Sequence, residues 1–391
     1  MMGEMKKIVV ILTIVLLLST STVGMGLASQ AKNRSFLEKQ NNILNSLSAG
    51  RQNIITKLQS YRQRASNIYG TTPDDIPDNF EFSPEDIKLK DDAFHGANTL
   101  HFTEWWYFDA AFDNGYSAQL SVRVLGALNP DIVFSRLDIY RFGSLLYHKQ
   151  KLHLFNEFYA SSTIPVIELD GKQVMKGYID EITGDWIYDL SFDFDDASAD
   201  LRFIGNTKGW KGQLHGSDWW GVILPRAQVT GIIKVDNNKI DVTGIGYHDH
   251  NWEVTVFAGI NFGWFWGKIN SDSYTMTWSN VMTTRLTSKP ILVINMNDDG
   301  YLNINPEDIL FTVEDFRFNR GMLVPYSFTL IVQNSQVSLH VEMEVFDVHH
   351  DRLMGITNYW RYHVRCTGSI KFASHTETID EIQIAEFIRF R

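Results

Sequence analysis

Two short segments of the chain concentrate acids, bases and aromatic rings. They are His101-Phe102-Thr103-Glu104-Trp105-Trp106-Tyr107-Phe108-Asp109 and Gly244-Ile245-Gly246-Tyr247-His248-Asp249-His250-Asn251-Trp252. Side chains alternate between the two faces of a strand. Read this way, Tyr247, Asp249 and Asn251 share one face, and His248, His250 and Trp252 the other. Likewise Trp105, Tyr107 and Asp109 lie opposite Glu104, Trp106 and Phe108. A carboxyl group sunk among apolar side chains keeps its proton toward neutral pH, because desolvation penalises the charged form. Such an acid can protonate an isolated alkene to a carbocation, which water then captures. Asp249 is the candidate acid, and Tyr247 the group that orients it or relays its proton. Aromatic faces stabilise a cation by roughly 0.5–2 kcal/mol each. Trp105, Trp106, Tyr107, Trp264 and Trp266 supply them, and Glu104, His248, His250, Asn251 and Trp252 complete the expected substrate-binding set. The step requires no metal and no organic cofactor.

Each assignment has a plainer rival. Asp249 also reads as a structural carboxylate bonded to backbone amides or to His248. His248 and His250 could be two metal ligands on one strand, with His215, His349 or His350 as the third. Glu104 also reads as the ion-pair partner of Arg123 or Arg226, and Trp105-Trp106 and Trp219-Trp220 as packing at a core or barrel rim. His349-His350-Asp351 reads as a polar loop. The chain has no Gly-rich phosphate loop and no Gly-x-Ser-x-Gly elbow, and its single cysteine, Cys366, has no nucleophile context.

The elements that position these residues are strands. From about residue 101 onward the hydrophobic period is two. Trp186, Tyr188, Leu190, Phe192 and Phe194 alternate with Asp185, Asp189, Ser191, Asp193 and Asp195, and Val337, Leu339, Val341, Met343 and Val345 repeat the pattern. One face buried and one in water is the mark of antiparallel sheet. Hairpin signals fall at Asp113-Asn114-Gly115, Asp170-Gly171, Asp236-Asn237-Asn238, Asp298-Asp299-Gly300 and Asn334-Ser335. Asp380–Phe390 reads as a last strand or a short helix. Gly244 and Gly246 point to close backbone approach or a bend. Roughly 290 residues of such strand fit two barrels of about 145 residues better than one. A faint repeat supports this: Trp105-Trp106-Tyr107 and Trp264-Phe265-Trp266 each open an aromatic hairpin.

The two motifs, with Pro225-Arg226 and Gly231 ahead of the second, resemble the carotenoid 1,2-hydratase (hydroxyneurosporene synthase) and AttH-like family over roughly residues 95–391. The resemblance implies an all-β fold of two tandem lipocalin-like antiparallel β-barrels. It implies acid-catalysed hydration, isomerisation or cyclisation of an apolar isoprenoid-like alkene, carried by Tyr247 and Asp249. The chain departs from the family pattern at Asp109 and at Glu253, where a glycine usually follows the Asn-Trp pair.

The expected organisation is a signal peptide or signal anchor at 1–29, a helical arm at 34–68 and a linker at 69–100. A first barrel at 101–250 and a second at 251–391 follow. Lys6-Lys7, the apolar run Ile8–Leu18 and the small residues after it form an export pattern, so the expected location is extracellular or at the cell surface. The uncharged stretch is long enough for an uncleaved anchor to associate with a membrane. In the arm, Leu37, Leu44, Leu47, Ile54, Leu58 and Tyr61 recur at helical spacings. The net charge of −11 counts against nucleic-acid binding. With 13% aromatic residues, the expected partner is an apolar small molecule, an isoprenoid or lipid. The competing functions are a non-catalytic carrier of an apolar ligand and a structural cell-surface protein.

Overall fold

The structure, a computed structural model, describes residues 56–57, 59–60, 63, 69–70, 81–96, 102–126, 132–215, 218–236, 238–255, 263–282, 288–296, 300–353 and 357–390. Contacts divide the chain into residues 1–61 and 62–391. In the first unit Thr56, Lys57, Gln59 and Ser60 are helical, within the expected arm. The expected signal segment at 1–29 lies outside the described residues. No helix among the described residues is long and apolar enough to cross a membrane.

The second unit is built of strands. Among the described residues it holds a sheet of 13 strands, a sheet of nine and a two-stranded ribbon. The two large sheets form tandem lipocalin-like barrels, one nearly closed and one a half-barrel. The last strand of the first sheet is Asn238–Thr255, and the first strand of the second is Gly263–Asn270. The 69–100 segment contributes directly to the first sheet. Glu85–Asp86 pairs with Trp210–His215, and the 3-10 turn Leu89–Asp92 ends in a buried aspartate. The alternative at the C-terminus resolves as strand His375–Arg389. His349-His350-Asp351, expected as a loop, lies inside strand Val337–Leu353 and pairs with Tyr359, Trp360 and Arg361.

Strict alternation explains where the apolar mass goes. Phe108, Leu120, Leu137, Phe203 and Val229 fill the first barrel. Phe265, Trp278, Leu330, Trp360 and Phe387 fill the second. Half of each central strand therefore faces outward, as the period of two predicts. On the motif strands that outward face does not meet water. Tyr107, Trp220 and Tyr247 of the first sheet pack against Trp266, Ile291 and Val293 of the second. Asp249, expected to be sunk among apolar side chains, is buried but does not lie inside a barrel. It sits on the outer face of the first barrel, buried because the second sheet covers it.

Gly244 sets the closeness of the two motif strands. A Cβ there would stand 2.0 Å from the Ala111 carbonyl oxygen and 2.7 Å from the Phe112 Cα. Backbone atoms cannot swing aside as a side chain can. Gly244→Val is expected to cost more than about 3 kcal/mol of stability. Gly171→Ala, in a turn with φ of +73° and open space around it, should cost about 1 kcal/mol. Denaturant unfolding of the two variants checks this, and equal losses would contradict the close approach.

Candidate active site

Cross-strand register assembles the site row by row. In the first sheet Arg136, Ser121, Tyr107, Asp249 and Val222 are successive neighbours across four ladders. The next row is Phe134, Arg123, Trp105, Asn251 and Trp220. The second sheet faces them with Arg361, Glu386, Trp266 and Ser279 in one row and Tyr359, Ile388, Trp264 and Val281 in another. Except for Val222 and Arg361, these residues line a cavity of about 110 Å³ between the sheets.

Asp249 is 6% exposed. Its Oδ2 accepts hydrogen bonds from Trp220 Nε1 at 3.1 Å and from the Tyr247 hydroxyl at 3.0 Å, while Asn251 Nδ2 lies 3.4 Å from Oδ1. Burial pushes its carboxyl up to about 7. The Trp220 and Tyr247 hydrogen bonds pull it back down, and the charges of Glu386 and Asp109 add to the rise. With two donors on Oδ2, the proton of the neutral acid belongs on Oδ1. The rival reading of Asp249 as bonded to His248 fails on geometry, since the two side chains leave opposite faces of the strand.

A second carboxylate comes from the other sheet. Glu386 Oε1 accepts from Tyr107 and Tyr359 hydroxyls, each at 2.7 Å, and from Arg361 Nη1 at 2.9 Å. Arg361 also donates to the Tyr107 oxygen at 2.8 Å. Asp109 is ion-paired with the buried Lys268 of the second sheet, whose ammonium also lies 5.2 Å from the centre of the Tyr247 ring. Burial lowers the Lys268 pKa in spite of that pairing. Glu386 and Asp109 are thus held by partners that cross between the two sheets.

The opposite face of the motif strands does different work. Glu104, Trp106, His248, His250 and Trp252 do not line the cavity. His250 Nε2 is 3.0 Å from Glu104 Oε1. Its Nδ1 is 3.2 Å from Asp92 Oδ1, an ion-pair distance whose angle is not that of a hydrogen bond. His248 Nε2 lies 3.1 Å from Asp92 Oδ2, and its Nδ1 lies 2.9 Å from the Tyr107 carbonyl. Glu104 pairs with neither arginine; it also accepts from the backbone amides of His95 and Gly96. Trp106 stacks on His250 and Trp252 on His95. Burial alone would lower the His250 pKa, but the two carboxylates outweigh it and raise it to about 9. Asp92 is held at about 2, its imidazole neighbours overcoming the effect of burial. These five residues fasten the 92–96 segment to the sheet.

His95, Glu104 and His250 bring ligand atoms within 4.8 Å of one another, as do His153, Glu157 and Asp170. In the first group His250 lies between Glu104 and Asp92, 3.0 and 3.2 Å from their oxygens, so the arrangement described is an imidazole–carboxylate clamp. His248 and His250 both bond to acids rather than converging on one point.

The structure thus gathers Asp249, Asn251, Trp105, Tyr107, Trp264 and Trp266 around the cavity, with Tyr247 bonded to Asp249 from beside it. Sequence reasoning missed Glu386, Arg361, Tyr359 and Asp92, and treated Trp220 as packing. Glu386 did leave a signal: a charge inside the apolar run Ile384-Ala385-Glu386-Phe387-Ile388. A charge in a buried strand demands a partner.

No protein-family model matches the chain. A hydroxyneurosporene dehydrogenase of Chlorobaculum tepidum is 24% identical over 177 residues, which are 43% of this chain. The match spans about 44% of that relative's length. A protein described as an AttH from Nitrosomonas europaea superposes with a TM-score of 0.57 at 14% identity, covering 76% of this chain and 95% of its own. Kievitone hydratase from Nectria haematococca gives 0.53 at 14% identity, covering 83% and 97%. The resemblance read from the two motifs is borne out: the chain has the AttH-like fold of tandem lipocalin-like barrels.

The sign of the clamp's pH dependence follows from its two pKa values. His250, raised from 6.5 to about 9, contributes stability that is complete below 6.5 and lost as pH rises through 9. Asp92, lowered from 3.8 to about 2, contributes stability that is complete above 3.8 and lost as pH falls through 2. His250→Gln leaves buried carboxylates without their cation and should cost about 3–5 kcal/mol at pH 6. The cost should shrink between pH 7 and pH 10. Denaturant midpoints across that range check it; a pH-independent cost would contradict the clamp.

Proposed function

We propose that the chain is a hydratase-type enzyme, in which Asp249 protonates an apolar isoprenoid-like alkene held between the two barrels. One observation carries the reading: a carboxyl with a pKa raised to about 7 opens on a cavity walled by Trp105, Tyr107, Trp220, Trp264 and Trp266. An acid of that strength is populated in its protonated form at neutral pH and is still able to give the proton away. The Asp249 proton becomes the new C–H bond, formed with the electron pair of the alkene. The cation that remains faces indole and phenol rings, each worth roughly 0.5–2 kcal/mol. Water closes on the cation and its proton returns to the Asp249 carboxylate, so the acid is regenerated. Glu386, held by Arg361 and two tyrosines on the opposite sheet, orients that water. The same acid without water would isomerise or cyclise a polyene, and the residues used need no cofactor. A hydratase exists among proteins of this fold, which supports the assignment by example. The Lys6-Lys7 flank and the apolar run behind it support placing the reaction outside the cytoplasm, at or beyond a membrane.

The test is incubation with prenyl alkenes such as geraniol and farnesol in oxygen-18 water, with product mass read by gas chromatography. Wild type should yield a labelled alcohol. Asp249→Asn should lose at least about 100-fold in rate with unchanged circular dichroism. The wild-type rate should be level below about pH 6 and fall as pH rises through 7, where the acid loses its proton. Turnover retained in Asp249→Asn would remove the acid from the account.

A further inference from the structure

One basic side chain of the seam has carboxylates near it, Glu386 and Asp249, but none in direct contact. Two basic side chains line the cavity among the described residues, Arg123 and Arg136. Arg136 already has carboxylates in direct contact: it donates to Asp138 at 2.6 and 2.8 Å, and its Nη1 lies at ion-pair distance, 3.0 Å, from Asp351. Arg123 forms no hydrogen bond and no ion pair with any described residue. Its guanidinium instead lies 4.7 Å from the centre of the Trp105 ring. Burial and the neighbouring Arg136 charge lower its pKa to about 10, so it remains a cation at neutral pH. The half-buried guanidinium is offset by Glu386 and Asp249 only at a distance, so a direct anionic partner would stabilise it further. A guanidinium held over an indole keeps its N–H donors, two of which can bind a carboxylate in parallel.

We propose that Arg123 binds an oxyanion of the substrate, so that the alkene taken by this site carries a carboxylate or a similarly delocalised anionic group at one end. This rests on the reading of Asp249 as the acid and adds the substrate class. The register fixes the spacing. Arg123 is opposite Trp105, which is opposite Asn251, two residues from Asp249. At about 4.8 Å per strand and 3.4 Å per residue, the two backbones are roughly 12 Å apart. Side chains reaching in from both positions leave a gap of several carbon–carbon bonds between the anionic head and the double bond that is protonated. The apolar stretch between them lies along Trp105 and Tyr107. An uncharged hydrocarbon would leave Arg123 without a direct anionic partner, so the site prefers an anionic ligand over the hydrocarbons that its aromatic walls alone would favour.

Geranate, methyl geranate and geraniol form a matched set of probes: one carbon skeleton and one distal double bond, with and without the anion. Binding to the full chain is read by quenching of tryptophan fluorescence, and conversion by oxygen-18 incorporation. Wild type should bind geranate at least tenfold more tightly than the ester. Arg123→Gln should erase that preference while keeping its affinity for the ester, and Arg123→Lys should retain part of it. Equal affinity of wild type for acid and ester, with the ester still hydrated, would overturn this inference and leave the proposed function standing. Arg123-dependent binding of geranate without any conversion would do the reverse. Binding of none of the three would overturn both.

Discussion

The structure depends on one constraint: the outer face of the first sheet is covered by the second sheet instead of by water. A strand with period two ordinarily divides its residues between core and solvent. Here the second division is also buried, and the residues on it are carboxylates, tyrosines, arginines and indoles rather than aliphatics. The seam can hold them because the two sheets supply each other's partners. Asp109 finds Lys268, and Tyr107 finds Glu386 and Arg361. Asp249 alone among these carboxyls receives neutral donors and no cation. Its burial is therefore uncompensated, and its proton is retained. The acid is a product of the way two barrels meet, and neither barrel on its own would create it.

The two motif strands serve both of their faces, and the chemistry of each face is opposite. Toward Asp92 and Glu104, buried charges are paired with imidazoles, and the carboxyls are driven below their ordinary range. Between His248 and His250, on the other face of their strand, a carboxyl is driven above its ordinary range. The paired side is a fastening; the side facing the cavity is the one proposed to act. A rigid clamp behind the sheet fixes the strand whose front face presents the acid, as precise placement of a catalytic group requires.

Much of this was legible in the residues. Alternation gave the strands, Gly244 the close approach, and the odd-and-even split of the second motif correctly separated Tyr247 and Asp249 from His248 and His250. Asp249 and Tyr247 were singled out as the acid pair, but what covers each face of their strand was not legible. Alternation divides a strand into two sets without saying what covers either; the covering sheet begins at Gly263, close in sequence, but its Tyr359 and Glu386 lie more than a hundred residues beyond Asp249. For the same reason Glu104, Trp106, His248, His250 and Trp252 read as part of one site with Asp249. Their true partner, Asp92, sits in an irregular acidic segment with no period to mark it. Glu386 was visible only as a charge in an apolar run, a signal of burial but not of what it faces.

The most direct measurement is the titration of the Asp249 carboxyl itself. Infrared difference spectra of wild type minus Asp249→Asn across pH isolate the protonated C=O stretch of this one group. The account predicts a band that persists to neutral pH and disappears with a midpoint near 7. A midpoint near 4, the ordinary value for an aspartate, would show a solvated or cation-paired carboxylate and would contradict the buried acid at its centre.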